Sequence, residues 1–341
     1  MKIAKLYSFN DIRIEEMPVP EPGPDEALVK VMSSGICSGD VMPWYIEKKA
    51  PLVLGHEPAG EIVKTGIHVE SFRSGDRVFV HHHAPCMDCA FCQRGDYVQC
   101  SQWQRSRLIP GGISEYLLIP EGILNNDTLK LPHGISYEDG TLVEPAACVV
   151  KSFRRSGIKK GDTVLVTGLG VMGMMHILLA PHFGAKKIIG ADMNAFRLEK
   201  ACESGASAVI NVNNESLRET VMSMTNNRGA DIVISGPNSV KAINSGLQCV
   251  APGGTMVLFT PVKPDEVLTL EPNFIFFKDI SIIPSYSCGP EDTREALGLI
   301  EQGMIHAEKL VTHRYRIEET AKAYHTVASA DESLKVLIDF T

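Results

Sequence analysis

The sequence lacks several features that would each have set a function class. No run of Lys and Arg exceeds two residues, and the formal net charge is −8. A nucleic-acid surface normally shows a basic stripe, so that class is disfavoured. Residues 1–20 mix charged and apolar side chains, with no basic segment leading into an apolar one, so no secretory signal is expected. There is no internal repeat and no low-complexity linker. The one long uncharged stretch, Thr163 to Ala185, contains Gly168, Gly170, Gly173, Pro181 and two histidines. A strand, a glycine turn and a helix explain it better than a membrane span. The isolated cysteines Cys37, Cys148, Cys202, Cys249 and Cys288 fit a reducing cytoplasm.

What the chain does have is four cysteines within fifteen residues: Cys86, Cys89, Cys92 and Cys100. Two-residue gaps let consecutive sulfurs turn toward one point, and four thiolates form a closed tetrahedral zinc site. The residues between them have little apolar content to hold a lobe together, so a metal is expected to do so. A closed site has no open position for a substrate. Its role is structural, and the chemistry must lie elsewhere.

At 341 residues, 44% hydrophobic and 22% charged, the chain suits two globular domains. The first part reads as short strands broken by Pro18, Pro20, Pro22 and Pro24, with candidates at Ala27 to Val31, Gly60 to Lys64, Arg77 to Val80 and Glu115 to Ile119. It looks all-β and barrel-like. From about residue 155, strand and helix alternate about every 20 residues, the signature of a doubly wound parallel sheet in an α/β fold. The tail holds a helix, Asp292 to Gln302, and a strand near Leu334 to Phe340.

Gly168-Leu169-Gly170-Val171-Met172-Gly173 follows an expected strand and opens an expected helix. The first Gly permits a tight turn, the second lets backbone approach a pyrophosphate, and the third lets helix pack on strand. Backbone N–H groups at the helix start face the phosphates. Asp192, at the end of the next strand, can accept from both ribose hydroxyls and repels a 2′-phosphate, which predicts NAD over NADP. Arg197 lies close enough to help a phosphate or to stack on adenine. Pro181 is expected to kink the helix or hasten its end.

Cys37, followed by Gly55-His56-Glu57-Pro58, offers a thiolate, an imidazole and a carboxylate, an open zinc set when water takes one position. Glu144-Pro145 is a second acid–proline pair near the hand-over between the two parts. His81-His82-His83 precede the cysteine lobe. They read as a strand end whose alternating side chains cannot share one face, against the sharper reading of extra metal affinity.

These residues, with Gly75-Asp76-Arg77-Val78 and Gly111-Gly112, make the chain resemble the zinc-dependent medium-chain dehydrogenases of the alcohol, polyol and threonine type over nearly its whole length. The resemblance implies a GroES-like β-barrel catalytic domain, residues 1–153 and 287–341 with the zinc lobe at 86–100, and a Rossmann NAD-binding domain at 154–286. It implies two zinc ions per chain. Cys37, His56 and Glu57 would hold the catalytic one, with Glu144 in or beside that shell and Asp40 fixing the His56 ring. It further implies reversible oxidation of a secondary alcohol or polyol to the ketone with NAD, at a site in the cleft between the domains, in a homodimer or homotetramer. Ile280 to Tyr286 and Thr255 to Thr260 are candidate contact segments between subunits.

The chain departs from the family pattern where a proton relay is usual, with Gly39 and Met42 at those positions. Ser38, a water, or a Glu57 or Glu144 carboxylate could substitute, and a carboxylate–water route is favoured. Met42, Trp44, Tyr45 and Ile46 are candidates for the substrate pocket. Alternatives are a threonine-type dehydrogenase, a zinc-free reductase on the same fold, and a non-enzymatic zinc- and nucleotide-binding regulator. The ligand set Cys37, His56 and Glu57 speaks against the last two.

Overall fold

Strand-forming and helix-forming segments separate along the chain, and the backbone follows that division. The structure, a computed structural model, describes residues 1–340. It comprises two compact units, Met1–Ala147 with Cys288–Thr341, and Cys148–Ser287; the boundary falls within the helix Val143–Ser156.

In the first unit, Val, Ile and Leu at alternate positions build a seven-stranded sheet. Its order is Val311–Arg316, Lys335–Asp339, Ala27–Gly35, Glu57–Thr65, Arg77–Val80 and Thr128–Lys130, with Tyr116–Ile119 also paired to Ala27–Gly35. Ala27–Gly35 runs antiparallel to Glu57–Thr65, with Gly35 opposite Glu57. Val29, Val31, Ile62, Val78 and Leu117 are buried in one core. A three-stranded sheet, Asp11–Glu16, Lys2–Ser8 and Leu52–Val53, packs beside it around Leu6, Ile36, Ile46, Leu54 and Tyr324. The C-terminal tail adds Lys335–Asp339 and Val311–Arg316 to this sheet.

The second unit holds six strands, all parallel, in the order Ala208–Asn211, Lys187–Asp192, Thr163–Thr167, Ala230–Ser235, Val250–Leu258 and Ser281–Pro284. The order reverses beside Thr163–Thr167, the strand that feeds the glycine loop. This is the switch point where open α/β sheets bind ligands. The helix after the glycines spans Val171–Leu179. It ends before Pro181, whose ring cannot continue it. Among the described residues no helix is long and apolar enough to cross a membrane.

Candidate active site and metal centres

Cys37 stands just past the end of Ala27–Gly35, where it caps a short 3-10 turn, Ser38–Val41, and its sulfur accepts the N–H of Gly39 at 3.3 Å. His56 and Glu57 arrive at the start of the neighbouring strand. Gly55 takes φ +86°, and a side chain there would strike Ile113. Gly112 N–H donates to Gly55 O at 2.9 Å, and Ile113 N–H to Leu54 O at 2.7 Å. The two glycine signals in the sequence therefore belong to one close backbone approach, which sets where His56 projects.

Pairing of the two strands brings one ligand atom each of Cys37, His56 and Glu57 within 4.8 Å of one another. His56 Nδ1 lies 3.1 Å from Asp40 Oδ2, which leaves Nε2 for a metal. Burial opposes a charged ring, but Asp40 and the Cys37 thiolate overcome it and hold His56 well above its ordinary pKa. Burial likewise opposes the Asp40 carboxylate, and His56 more than compensates, keeping its pKa low. A thiolate, an oriented imidazole and a carboxylate are the donor set of a zinc site with three protein ligands, so the residues present fit the metal.

Glu57 has a partner that sequence reasoning missed. Its carboxylate is ion-paired with Lys335 Nζ, and both side chains are 1% exposed. Lys335 also donates to Ile36 O at 3.2 Å. Gly35 is required beneath them, because a side chain there would collide with both. Burial is the largest influence on Glu57 and raises its pKa despite Lys335. The signal was available: Lys335 is the one charge in the apolar run Leu334 to Ile338. Tyr324, buried behind Asp40 and Cys37, was also missed.

Glu144 stands beside the Cys37 group: its charge acts on Glu57, and its carboxylate lies within 4.8 Å of ligand atoms of His81 and His82. Other expectations are corrected. Ser38 is exposed, and no hydrogen bond ties its hydroxyl to Cys37, His56 or Glu57. Ile46 is a core residue rather than a pocket residue, while Met42, Trp44 and Tyr45 are half-buried. The histidines do not continue a strand, since Arg77–Val80 ends before them. Freed from strand alternation, His81 and His82 bring ring nitrogens within 4.8 Å of one another, although each of the three rings has its own surroundings. His81 Nδ1 is 2.5 Å from Asp127 Oδ2, whose other oxygen accepts from Thr293 at 2.5 Å. His83 Nδ1 is 2.8 Å from Ser106 O. His82 packs against His56, with ring centroids 4.7 Å apart.

The lobe cysteines are all free of disulfides and converge: Cys89 Sγ is 3.5 Å and Cys86 Sγ 3.9 Å from Cys92 Sγ, and Cys86 N–H donates to Cys100 Sγ at 3.3 Å. Burial opposes the Cys100 thiolate, yet N–H groups of Cys86, Trp103 and Gln102 bring its pKa down to about 6. Burial among the other sulfurs pushes Cys92 up to about 12. Four crowded sulfurs of this kind suit a dication. Tyr97, Val98 and Trp103 form a small apolar cluster against the cysteines. Tyr97 also donates to Glu291 Oε1 at 2.8 Å.

In the second unit, Gly168 takes φ +79° and Gly173 lies so close to Gly168 O that any side chain would clash. Gly170 caps the helix, whose first residues are Val171 and Met172. Asp192 Oδ2 accepts from Leu169 N–H at 2.6 Å, and Oδ1 accepts from Met193 and Asn194 N–H at 2.7 and 2.9 Å. The carboxylate is thereby locked beside the glycine turn. Arg197 Nη1 is 3.9 Å from Asp192 Oδ2, on the side of Gly170.

Comparison with known proteins agrees with this arrangement. Residues 23–133 match the alcohol dehydrogenase GroES-like domain, and residues 171–302 match the zinc-binding dehydrogenase family. Sorbitol dehydrogenase of Halalkalibacterium halodurans is 33% identical, over 95% of this chain and 94% of its own. The chain belongs to the zinc-dependent medium-chain dehydrogenases. This dehydrogenase also superimposes on 2R,3R-butanediol dehydrogenase from Bacillus subtilis with a TM-score of 0.88, 26% identity, and coverage of 100% and 99% of the two chains. A zinc-binding dehydrogenase from Sinorhizobium meliloti, solved with NADP, gives 0.89 at 28% identity, covering 99% and 98%. The dehydrogenase is thus a zinc-dependent oxidoreductase acting on alcohols.

Proposed function

We propose that this dehydrogenase oxidises a polyol or secondary alcohol to the ketone, reversibly and with NAD, using one catalytic and one structural zinc. The observation that carries the reading is the Cys37, His56 and Glu57 cluster with its ring fixed by Asp40. Zinc held there supplies Lewis-acid polarisation of a substrate oxygen. Asp40 keeps the His56 ring in one tautomer and orientation. Lys335 balances the charge of Glu57 and competes for its oxygens. Glu144, beside His81 and His82, takes part in proton movement.

Residues 168–173 hold the pyrophosphate through backbone N–H groups. Asp192 faces the adenosine ribose and disfavours a 2′-phosphate, whereas Arg197 would tolerate one. The Sinorhizobium relative's NADP makes this choice the one to test. Steady-state rates with NAD and NADP should favour NAD, and Asp192→Ala should narrow the gap; a preference for NADP that Asp192→Ala removes would reverse the assignment.

The polyol preference rests on the sorbitol and butanediol dehydrogenases named above. A homodimer or homotetramer is supported by Ser281–Pro284, which ends the parallel sheet, and by exposed Phe276, Phe277 and Tyr286 around it. Thr255 to Thr260 does not share this property, since Val250–Leu258 is paired on both sides. The cytoplasm is the proposed location, on the nine free cysteines.

A further inference from the structure

We propose that His82 is a specificity residue that hydrogen-bonds a second hydroxyl of the substrate, adjacent to the one being oxidised, so that the preferred substrates are vicinal diols. The inference rests on the alcohol-oxidising reading above and deepens it.

Three consecutive histidines occupy one short segment, and two have their Nδ1 engaged: His81 with Asp127 and His83 with Ser106 O. His56 is likewise held by Asp40. His82 differs, because its Nδ1 is buried and has no hydrogen-bond partner. A buried polar atom without a partner is destabilising, and such an atom at a binding site points to a ligand group. The position of this ring fits that reading. It lies against His56, a member of the Cys37 cluster, with centroids 4.7 Å apart. It also has a ligand atom within 4.8 Å of Glu144. A second substrate oxygen, on the carbon next to the reacting one, is the group we place against it.

The chemistry matches a hydroxyl. A neutral imidazole has one donor and one acceptor, and a hydroxyl can use either. Half-buried Met42, Trp44 and Tyr45, near in sequence to Cys37, offer mostly apolar surface. Ligand pockets typically combine such surface with a few placed polar groups that fix orientation. A pocket with a buried polar atom set for a substrate hydroxyl discriminates against the analogue lacking it, because that atom is then left unpaired.

The test compares butane-2,3-diol with butan-2-ol, which differ in the second hydroxyl, using the zinc-loaded full chain and NAD. The wild type should favour the diol in kcat/KM by at least about tenfold. His82→Leu should reduce the diol-to-alcohol ratio at least about tenfold, and His82→Gln, which keeps a donor and an acceptor, should recover part of it. Parity between the two substrates in the wild type overturns the proposal without any variant. So does an unchanged ratio in a folded His82→Leu protein, or the loss of one zinc from it, which would make His82 a metal ligand. In each of those outcomes the dehydrogenase reading stands. A zinc-loaded wild type that oxidises neither substrate nor any polyol overturns both.

Discussion

Glu57 and Lys335 are 278 residues apart in sequence and ion-paired in the buried floor of the Cys37 cluster. The pair links the C-terminal strand to the metal-binding strand. Removing one member of a buried pair leaves an uncompensated charge, which costs about 3–5 kcal/mol. Lys335→Met should therefore destabilise the first unit by that order. Denaturant unfolding of the metal-free protein, in which no ion shares the Glu57 charge, would measure it. Adding Glu57→Gln to Lys335→Met should recover part of the loss there, because no lone charge remains. Equal stability of the wild type and Lys335→Met would mean that the pair is not formed.

Asp40 holds Nδ1 of His56, so its proposed effect on zinc runs through that ring. Loss of a carboxylate that orients a ligating histidine typically weakens metal affinity 10–100-fold. Asp40→Asn should lose one zinc to a chelator at correspondingly lower concentration, while the second zinc, in the lobe, provides an internal control. Zinc release that is identical in the two proteins would remove Asp40 from this role.

The two cysteine sets should respond differently to substitution. Cys37→Ala should abolish turnover in a protein that keeps its fold. Cys100→Ala should lower the melting temperature or disturb assembly before it affects the chemistry, partly cushioned by Tyr97, Val98 and Trp103. Full stability with no turnover in Cys100→Ala would mean that the two zinc roles had been exchanged.

Much of this arrangement was legible in the sequence because it is carried by local signals. The glycine fingerprint, Asp192 and the four lobe cysteines each fall within a short stretch whose backbone geometry follows from spacing. The alternation of strand and helix expected from about residue 155 is present, as in Thr163–Thr167 followed by Val171–Leu179. What escaped the sequence is contact made by distant strands. Lys335 meets Glu57 only because Lys335–Asp339 pairs with Ala27–Gly35, which also pairs with Glu57–Thr65. His82 lies against His56 two residues past the end of the strand at Val80, where alternation no longer governs it. Glu144, expected in or beside the Cys37 set, also meets His81 and His82, a contact its place in the chain did not indicate.

His176 makes the second unit acid-sensitive. It is 1% exposed, with Nδ1 2.7 Å from Met172 O and Nε2 2.8 Å from Ser152 Oγ. Burial lowers its pKa from 6.5 to about 4, with Met172 O acting weakly in the other direction. Between those values the unfolded ring binds a proton that the folded ring does not, so stability rises with pH in this range. The contribution is complete above pH 6.5 and is lost as pH falls toward 4, by about 3 kcal/mol in all. Thermal unfolding between pH 7 and pH 4.5 should show a steeper decline in the wild type than in His176→Gln. Parallel curves would contradict this assignment.

The central claim is that scattered residues Cys37, His56 and Glu57 hold a working zinc, separate from the one in the cysteine lobe. The most direct measurement is zinc per chain in dialysed wild type and Cys37→Ala, paired with polyol-dependent reduction of NAD in the same samples. Two zinc ions and turnover in the wild type, with one zinc and no turnover in Cys37→Ala, is the predicted result. One zinc in both proteins, or undiminished turnover in Cys37→Ala, would contradict it.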